Sequence, residues 1–460
     1  MRSMTPIGPT QISLEDIRRK LETTTFNSIR GLLTDRMIEE ACRSAGVVYR
    51  QRLITPKVTV LHMLLAALWP EASFAAGWQV LWDSMTSRLP EAAGRSPNSG
   101  SVAKARGRLP MSLWDELFRQ LSQTAQDLAA QISRWRGLRP VLMDGTCVSM
   151  PDERALRRAF GTCSGVNGRW KYPIARVVTV ALAQSMTVLS YSLGRYRQSE
   201  NELAAPLLRK LGPGDLLLAD RRFAGAAMYA RYRAQGLEFL TRMHHLLKVS
   251  RLRRVVSYGK DDFVTDLVMN PAYRRADPQL PATVRVRVLR ARVTVRGKRE
   301  VLWLVTSLLD GKRYPADEIV DLYGKRWRIE ELFGQVKVRM SADVLRSRTV
   351  AGVHKELAAR MMAVNLVRMV TLQAACRHGT DPLRISFVHA TRAIIAYAPT
   401  MATASPARLP EIYAGMLEEI ASQVVPCRPG RNEPRAVRRE PRQYPSLRIT
   451  RRLWRLRHAA

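Results

Sequence analysis

The spacing of apolar and polar positions changes character three times along the chain. Up to about residue 135 it is helical: Ile38, Ala41 and Ala45, then Val58, Leu61, Leu64, Leu65 and Leu68, recur on one face of a 3.6-residue turn. Thr55-Pro56 supplies a cap and a pre-set φ for the second of these helices. A polar Pro/Gly/Ser-bearing segment, Leu89 to Ser101, separates two helical regions and leads into Lys104, Arg106 and Arg108, on either a short presented helix or a solvated basic turn. From Pro140 the pattern becomes β-prone. PVLMDGTCVSM (Pro140 to Met150), ARVVTVALAQ (Ala175 to Gln184) and TVLSYSLG (Thr187 to Gly194) predict three successive strands. A helix over Ser199 to Gly212 follows, capped by Ser199 with Glu202 three residues on, and shortened or kinked at Pro206. Then come a strand over Asp215–Asp220, a helix from about Ala224 to Gln235 and a strand over Glu238–Met243. Strands followed by strand–helix–strand alternation predict a mixed α/β sheet.

Residues 245–312 interrupt this with more β material. Val284 to Val295 alternates apolar residues with Arg and turns at Arg296-Gly297-Lys298, predicting an antiparallel ribbon with one apolar and one Arg-rich face. Lone hairpins are marginal, so the ribbon is expected to lie on the main domain or on a ligand, its Arg face either solvated or bound to a polyanion. Helical spacing then returns over about Pro315–Met340, Gly352–Cys376, Leu383–Tyr397 and Pro410–Gln423. The expected divisions are a helical segment 1–135, a mixed α/β domain 136–350 containing the insertion 245–312, C-terminal helices 351–426 and a basic tail 427–460. That tail holds eleven Arg, four Pro and two acids, and is expected to be extended.

Charge gives the strongest functional constraint. Lys and Arg number 75 against 39 Asp and Glu, a net charge of +36. Such an excess calls for a polyanion, and nucleic acid is the natural one. The apolar run Val58 to Pro70 is too short to span a bilayer, and Met1 to Thr25 contains no continuous apolar block. Five scattered cysteines without a CxxC pair predict a reduced, cytoplasmic protein without structural zinc, nucleoid-associated when bound to DNA.

Three carboxylates stand where carboxylates are disfavoured. Asp144 lies within an apolar strand, where a desolvated charge needs a partner such as a metal ion, although a strand ending at Met143 followed by an Asp144-Gly145 turn also fits. Asp220 ends an apolar strand, as ligand or as N-cap. Glu330 lies in YGKRWRIEELFGQVK (Tyr323 to Lys337). On one continuous helix Tyr323, Arg326, Glu330 and Lys337 share an arc of about 60°. Ile329, Leu332, Phe333, Val336 and Met340 form the adjoining apolar face, and Arg328, Glu331 and Gln335 the solvated one. The charged arc is either a salt-bridged flank or the meeting of a helix with a sheet and a ligand. Two Asp and one Glu suit Mg²⁺ or Mn²⁺, and two such ions about 4 Å apart serve phosphodiester cleavage.

The arrangement Y-x2-R-x3-E-x6-K, formed by Tyr323, Arg326, Glu330 and Lys337, resembles the signature of the insertion-sequence-four family of bacterial DDE transposases. DGTCVSMPDERALRRAFG (Asp144 to Gly161) is similar to that family's first-Asp segment, and LLLADRRF (Leu216 to Phe223) to its second. The resemblance covers about Pro140 to Met340. It implies a ribonuclease-H-like core, a mixed sheet flanked by helices with a β-rich insertion, in which Asp144, Asp220 and Glu330 bind Mg²⁺ or Mn²⁺. Tyr323, Arg326 and Lys337 would contact DNA phosphates, with Trp327 and Arg221 beside them, and Trp303 would either stack on a flipped base or belong to the core. The departure is Arg222, where the family more often has a small residue. The function implied is cut-and-paste transposition on double-stranded DNA by a dimer on paired ends, with no membrane partner. A non-catalytic DNA-binding relic and a structure-specific nuclease are the alternatives.

Overall fold

A computed structural model describes residues 32–49, 53–86, 96–163, 172–295, 298–426 and 456. Met1–Thr25, most of the linker before Asn98, the Arg296-Gly297 turn and the tail from Cys427 lie outside the described residues.

The first helices are α1 (Asp35–Ser44), α2 (Pro56–Leu68), α3 (Phe74–Thr86), α4 (Ser99–Arg108) and α5 (Met111–Ala129). Thr55 caps α2 by accepting a hydrogen bond from the Val58 N–H, with Pro56 in the first turn as expected. Asn98 caps α4, so Lys104, Arg106 and Arg108 are on a short helix. α5 buries Leu113, Trp114, Leu117, Leu121 and Ala125 at helical spacing.

The centre is one nine-stranded sheet in the order β3-β2-β1-β4-β5-β9-β8-β7-β6. Its first half comprises β1 (Arg139–Ser149), β2 (Ile174–Leu182), β3 (Val188–Arg195), β4 (Asp215–Ala219) and β5 (Glu238–Arg242). β1, β4 and β5 run parallel, and β2 and β3 form antiparallel returns. Between strands lie α6 (Arg154–Phe160), α7 (Glu200–Leu208) and α8 (Ala226–Ala234). This is the expected mixed α/β sheet flanked by helices. β1 follows the predicted strand, continuing through Asp144 to Ser149 in register with β2, so the alternative turn at Asp144-Gly145 is not formed. α7 begins at its predicted cap and is shortened, ending at Leu208 two residues after Pro206.

The insertion extends the same sheet through β6 (Arg254–Gly259), β7 (Asp262–Val268), the short helix α9 (Pro271–Ala276), β8 (Thr283–Val295) and β9 (Lys298–Thr306). β9 pairs with β5, which settles where the marginal ribbon docks. The expected Arg-rich face is largely neutralised within the protein. Arg287 is 1% exposed, forms a two-pronged ion pair with Asp262 and donates to the Tyr314 carbonyl. Arg285 pairs with Asp266 and Arg290 with Asp261. Acids on β7 and its preceding turn lie opposite these arginines, a pairing that alternation within one strand does not reveal.

The chain ends in α10 (Ala316–Gly324), α11 (Arg328–Gly334), α12 (Val350–His378), α13 (Phe387–Thr403) and α14 (Leu409–Ser422). α12 is buried nearly all round, but it carries Lys355, Glu356, Arg360, Asn365 and Arg368 inward, and each meets a partner. Asn365, for example, accepts the N–H of Val188 and donates to its carbonyl, tying β3 to α12 like an extra ladder rung. No described helix is long and apolar enough to cross a membrane.

Candidate active site

Parallel pairing of β1 with β4 ends at Met143 opposite Ala219, so Asp144 and Asp220 follow at neighbouring positions where the register stops. Asp144 remains in its strand, its Oδ1 accepting the Gly145 N–H at 2.8 Å. Asp220 caps a single 3₁₀ turn, Arg221–Phe223, its Oδ1 accepting the Arg222 N–H at 2.7 Å. Arg222 therefore fits the turn by its backbone, and its guanidinium points to Glu200 at 2.9 Å. Burial pushes the Asp144 carboxyl up to about 6, with the nearby charges of Asp220 and Glu200 adding to the rise and the Gly145 N–H and Arg326 opposing it.

The segment Tyr323 to Lys337 is not one continuous helix. α10 gives way to a 3₁₀ turn at Lys325–Trp327, then α11, then a π turn at Gln335–Arg339. The apolar face is as predicted, with Ile329, Leu332, Phe333, Val336 and Met340 all buried. Of the predicted solvated face, only Glu331 is exposed. Arg328 is half-buried and donates to the Ala183 carbonyl, while Gln335 accepts from Arg368. Each change of helical pitch alters the angle per residue, so an arc drawn at 100° per residue drifts. The four signature residues accordingly differ in environment. Tyr323 is buried, and that burial raises its hydroxyl to about 12. Glu330 has a side chain 54% exposed, whereas that of Arg326 is 7% exposed. Lys337 pairs with Asp343 at 3.1 Å.

Arg326 joins the pieces. Nη1 is 3.5 Å from Asp144 Oδ2, and Nη2 is 3.7 Å from Glu330 Oε1. The guanidinium lies 4.4 Å from the Trp327 ring centre and 5.9 Å from that of Tyr323. Among the described residues its Nε has no hydrogen-bond partner, so this buried cation is only loosely paired. The structure thus brings Asp144, Asp220, Tyr323, Arg326 and Glu330 to the end of β4 and the adjoining middle of β1. Arg221 and Trp327 are exposed beside them. Trp303 is half-buried against the sheet core. Lys104, Arg106 and Arg108 lie apart in sequence on α4, where the guanidinium of Arg106 stacks 5.0 Å over Phe74 and its carbonyl accepts from Lys355.

The donor set suits a hard divalent cation. Two neighbouring carboxylates, one within β1 and one just past β4, offer oxygen only, and the desolvated one has Arg326 at 3.5 Å for its cation. Among the described residues no three His, Cys, Asp or Glu side chains are gathered closely enough to hold a metal as they stand, so Glu330 would have to leave Arg326 to join the pair. Two contributors escaped the sequence reading. Glu200 carries no signal of its own inside the predicted helix, and Gly145 enters only as part of the alternative turn with Asp144. A side chain at Gly145 would meet Glu200, since a Cβ there falls 2.7 Å from its Cδ. A glycine inside a paired strand was the available signal.

Residues 135–366 match the family described as the transposase DDE domain. The transposase InsG for insertion sequence element IS4 of Escherichia coli K12 is 29% identical over 350 residues, spanning 75% of this chain and 78% of that protein. Among solved structures, the piggyBac transposase synaptic complex with hairpin DNA aligns over 85% of this chain and 84% of that one, at 9% identity and a TM-score of 0.40.

Proposed function

This chain belongs to the transposases with a DDE domain, and we propose that Asp144, Asp220 and Glu330 are its catalytic acids. It is a DNA transposase, of the insertion-sequence-four type that its motifs resemble. The observation that carries the assignment of residues is a loosely met pair of charges. The desolvated Asp144 has Arg326 for its cation at 3.5 Å, and the buried Arg326 reaches no anion closer than that, with Glu330 at 3.7 Å and its Nε unbonded among the described residues. A metal-bound phosphodiester satisfies both at once.

Asp144 and Asp220 would hold Mg²⁺ or Mn²⁺, with Glu330 completing the set. When bound, such ions activate the attacking oxygen and stabilise the leaving one. Arg326, held between Tyr323 and Trp327, turns from its acids to the phosphate oxygens, and Lys337 and Arg221 contact flanking phosphates. Water attacks phosphorus, the bond from phosphorus to the 3′ oxygen breaks, and the strand leaves as a 3′ hydroxyl. In the manner of the family this chain resembles, that hydroxyl then attacks the opposite strand, breaking its phosphodiester to release the flanking DNA and closing a hairpin. A second water opens the hairpin and restores the 3′ hydroxyl, which attacks a target phosphodiester and joins the end to target DNA as the broken target strand leaves. Trp303 or Trp327 supplies a face for an unpaired base.

The segment before residue 135, with Lys104, Arg106 and Arg108 on α4, would grip DNA outside the catalytic domain 136–350. The helices 351–426 would pair two subunits on two DNA ends, and the tail 427–460 would add sequence-independent affinity. The test is to sequence the DNA flanking the reading frame for short inverted repeats, which the proposal requires, and to measure cleavage of DNA that carries them. With Mg²⁺ the protein should nick it to leave a 3′ hydroxyl, and Asp220→Ala should leave it intact. Cleavage by folded Asp220→Ala at the wild-type rate would remove the assignment.

A further inference from the structure

Glu200 lies at the start of α7 with its side chain 12% exposed, outside both the core and the acid set just described. It touches both chain segments that carry the aspartates. On one side its carboxylate lies against Gly145, whose N–H holds Asp144. On the other it accepts from Arg222 Nη1 at 2.9 Å, and the Arg222 N–H holds Asp220. Arg176 Nη1 stands 4.0 Å away, restrained by the Gln198 carbonyl. The helix N-terminus and the Ser199 cap fix the base of this side chain. Arg222 itself is 64% exposed and long enough to turn elsewhere. Two residues from Asp220, a released guanidinium would be free to turn to the two aspartates and compete with any cation there.

We propose that Glu200 is a positioning residue of the acid pair: it holds the Arg222 guanidinium away from Asp144 and Asp220 and so keeps both free for a divalent cation. The proposal rests on the assignment of Asp144 and Asp220 as metal ligands. It concerns no proton transfer and no bond to substrate. Glu200 acts through Arg222, so its removal raises the metal concentration needed without removing a ligand.

The test is calorimetric titration of the full chain with Mn²⁺, alongside the Mg²⁺ dependence of end cleavage. Glu200→Gln should weaken Mn²⁺ binding about threefold to tenfold, as expected for loss of one partly exposed ion pair, and should shift the half-saturating Mg²⁺ equally. Saturating Mg²⁺ should restore its cleavage rate. Glu200→Asp, which keeps the charge one methylene short, should fall between wild type and Glu200→Gln. The decisive variant is Glu200→Gln with Arg222→Ala, in which the competitor is gone and wild-type affinity should return. Wild-type affinity in Glu200→Gln alone, or a double variant as weak as the single one, would overturn the proposal. Asp220→Ala should bind no Mn²⁺ at this site, and its retaining full affinity would instead remove the metal-ligand assignment.

Discussion

Replacing Asp144 by Asn should make the metal-free protein more stable while abolishing cleavage. The carboxyl rises from its ordinary 3.8 to about 6 on folding, chiefly because burial disfavours its charge. The folded state therefore holds this proton more tightly than the unfolded state. Stability falls as pH rises between about 4 and 6, and the full cost is present above that window. A change from 3.8 to about 6 corresponds to a cost of about 3 kcal/mol as a ceiling. The side chain is 19% exposed, so screening reduces this only in part, and a gain of about 1–3 kcal/mol is expected for Asp144→Asn at pH 7.5. The lost attraction to Arg326 is already contained in the net rise, and the Asn oxygen still accepts the Gly145 N–H. Urea unfolding in EDTA at pH 7.5 and at pH 4 measures the effect. The variant should lead at pH 7.5, and the gap should close at pH 4. A variant less stable than wild type at pH 7.5, or a gap indifferent to pH, would refute the reasoning.

Other consequences are as specific. Glu356→Ala strands the buried Arg360 and frees the N–H groups of Arg346 and Ser347, so it should cost about 3–5 kcal/mol in chemical denaturation. Arg360 also donates to the Met340 carbonyl, so this variant should loosen the segment after the π turn and speed amide exchange there. Gly145→Ala drives a methyl into Glu200 and should cost about 1–3 kcal/mol, with cleavage falling more steeply than stability because Asp144 is the adjacent residue. Binding to random duplex DNA, read by fluorescence anisotropy, should weaken tenfold or more between 50 and 200 mM salt, about 0.9 log units per log unit of salt for each phosphate neutralised. A flat salt response would argue against the role given to the basic excess of +36.

Periodicity and capping chemistry made most elements legible, and both aspartates could be placed at the ends of apolar runs. What the sequence hid was the set of contacts made across distance. YGKRWRIEELFGQVK contains no proline and its apolar positions suit a continuous helix, so its only local signals are Gly324 and Gly334, which stand at the two changes of pitch. The changes of pitch accompany tertiary contacts: Arg326 reaches Asp144, Arg328 reaches Ala183, Arg368 holds Gln335 and Arg360 holds Met340. Arg328 and Gln335 were read as solvated for the same reason. Arg287 shows the converse error, because alternation predicts the face of a residue but not an acid opposite it on β7. Arg222 looked out of place two residues after an aspartate until Glu200 supplied its partner.

Anomalous diffraction from Mn²⁺ in a complex with end DNA examines the assignment of the acids without relying on activity. Density bound by both Asp144 and Asp220, with Glu330 turned towards it and Arg326 on a phosphate, is the predicted result. Manganese placed elsewhere, or Glu330 still on Arg326 with DNA seated, would contradict it.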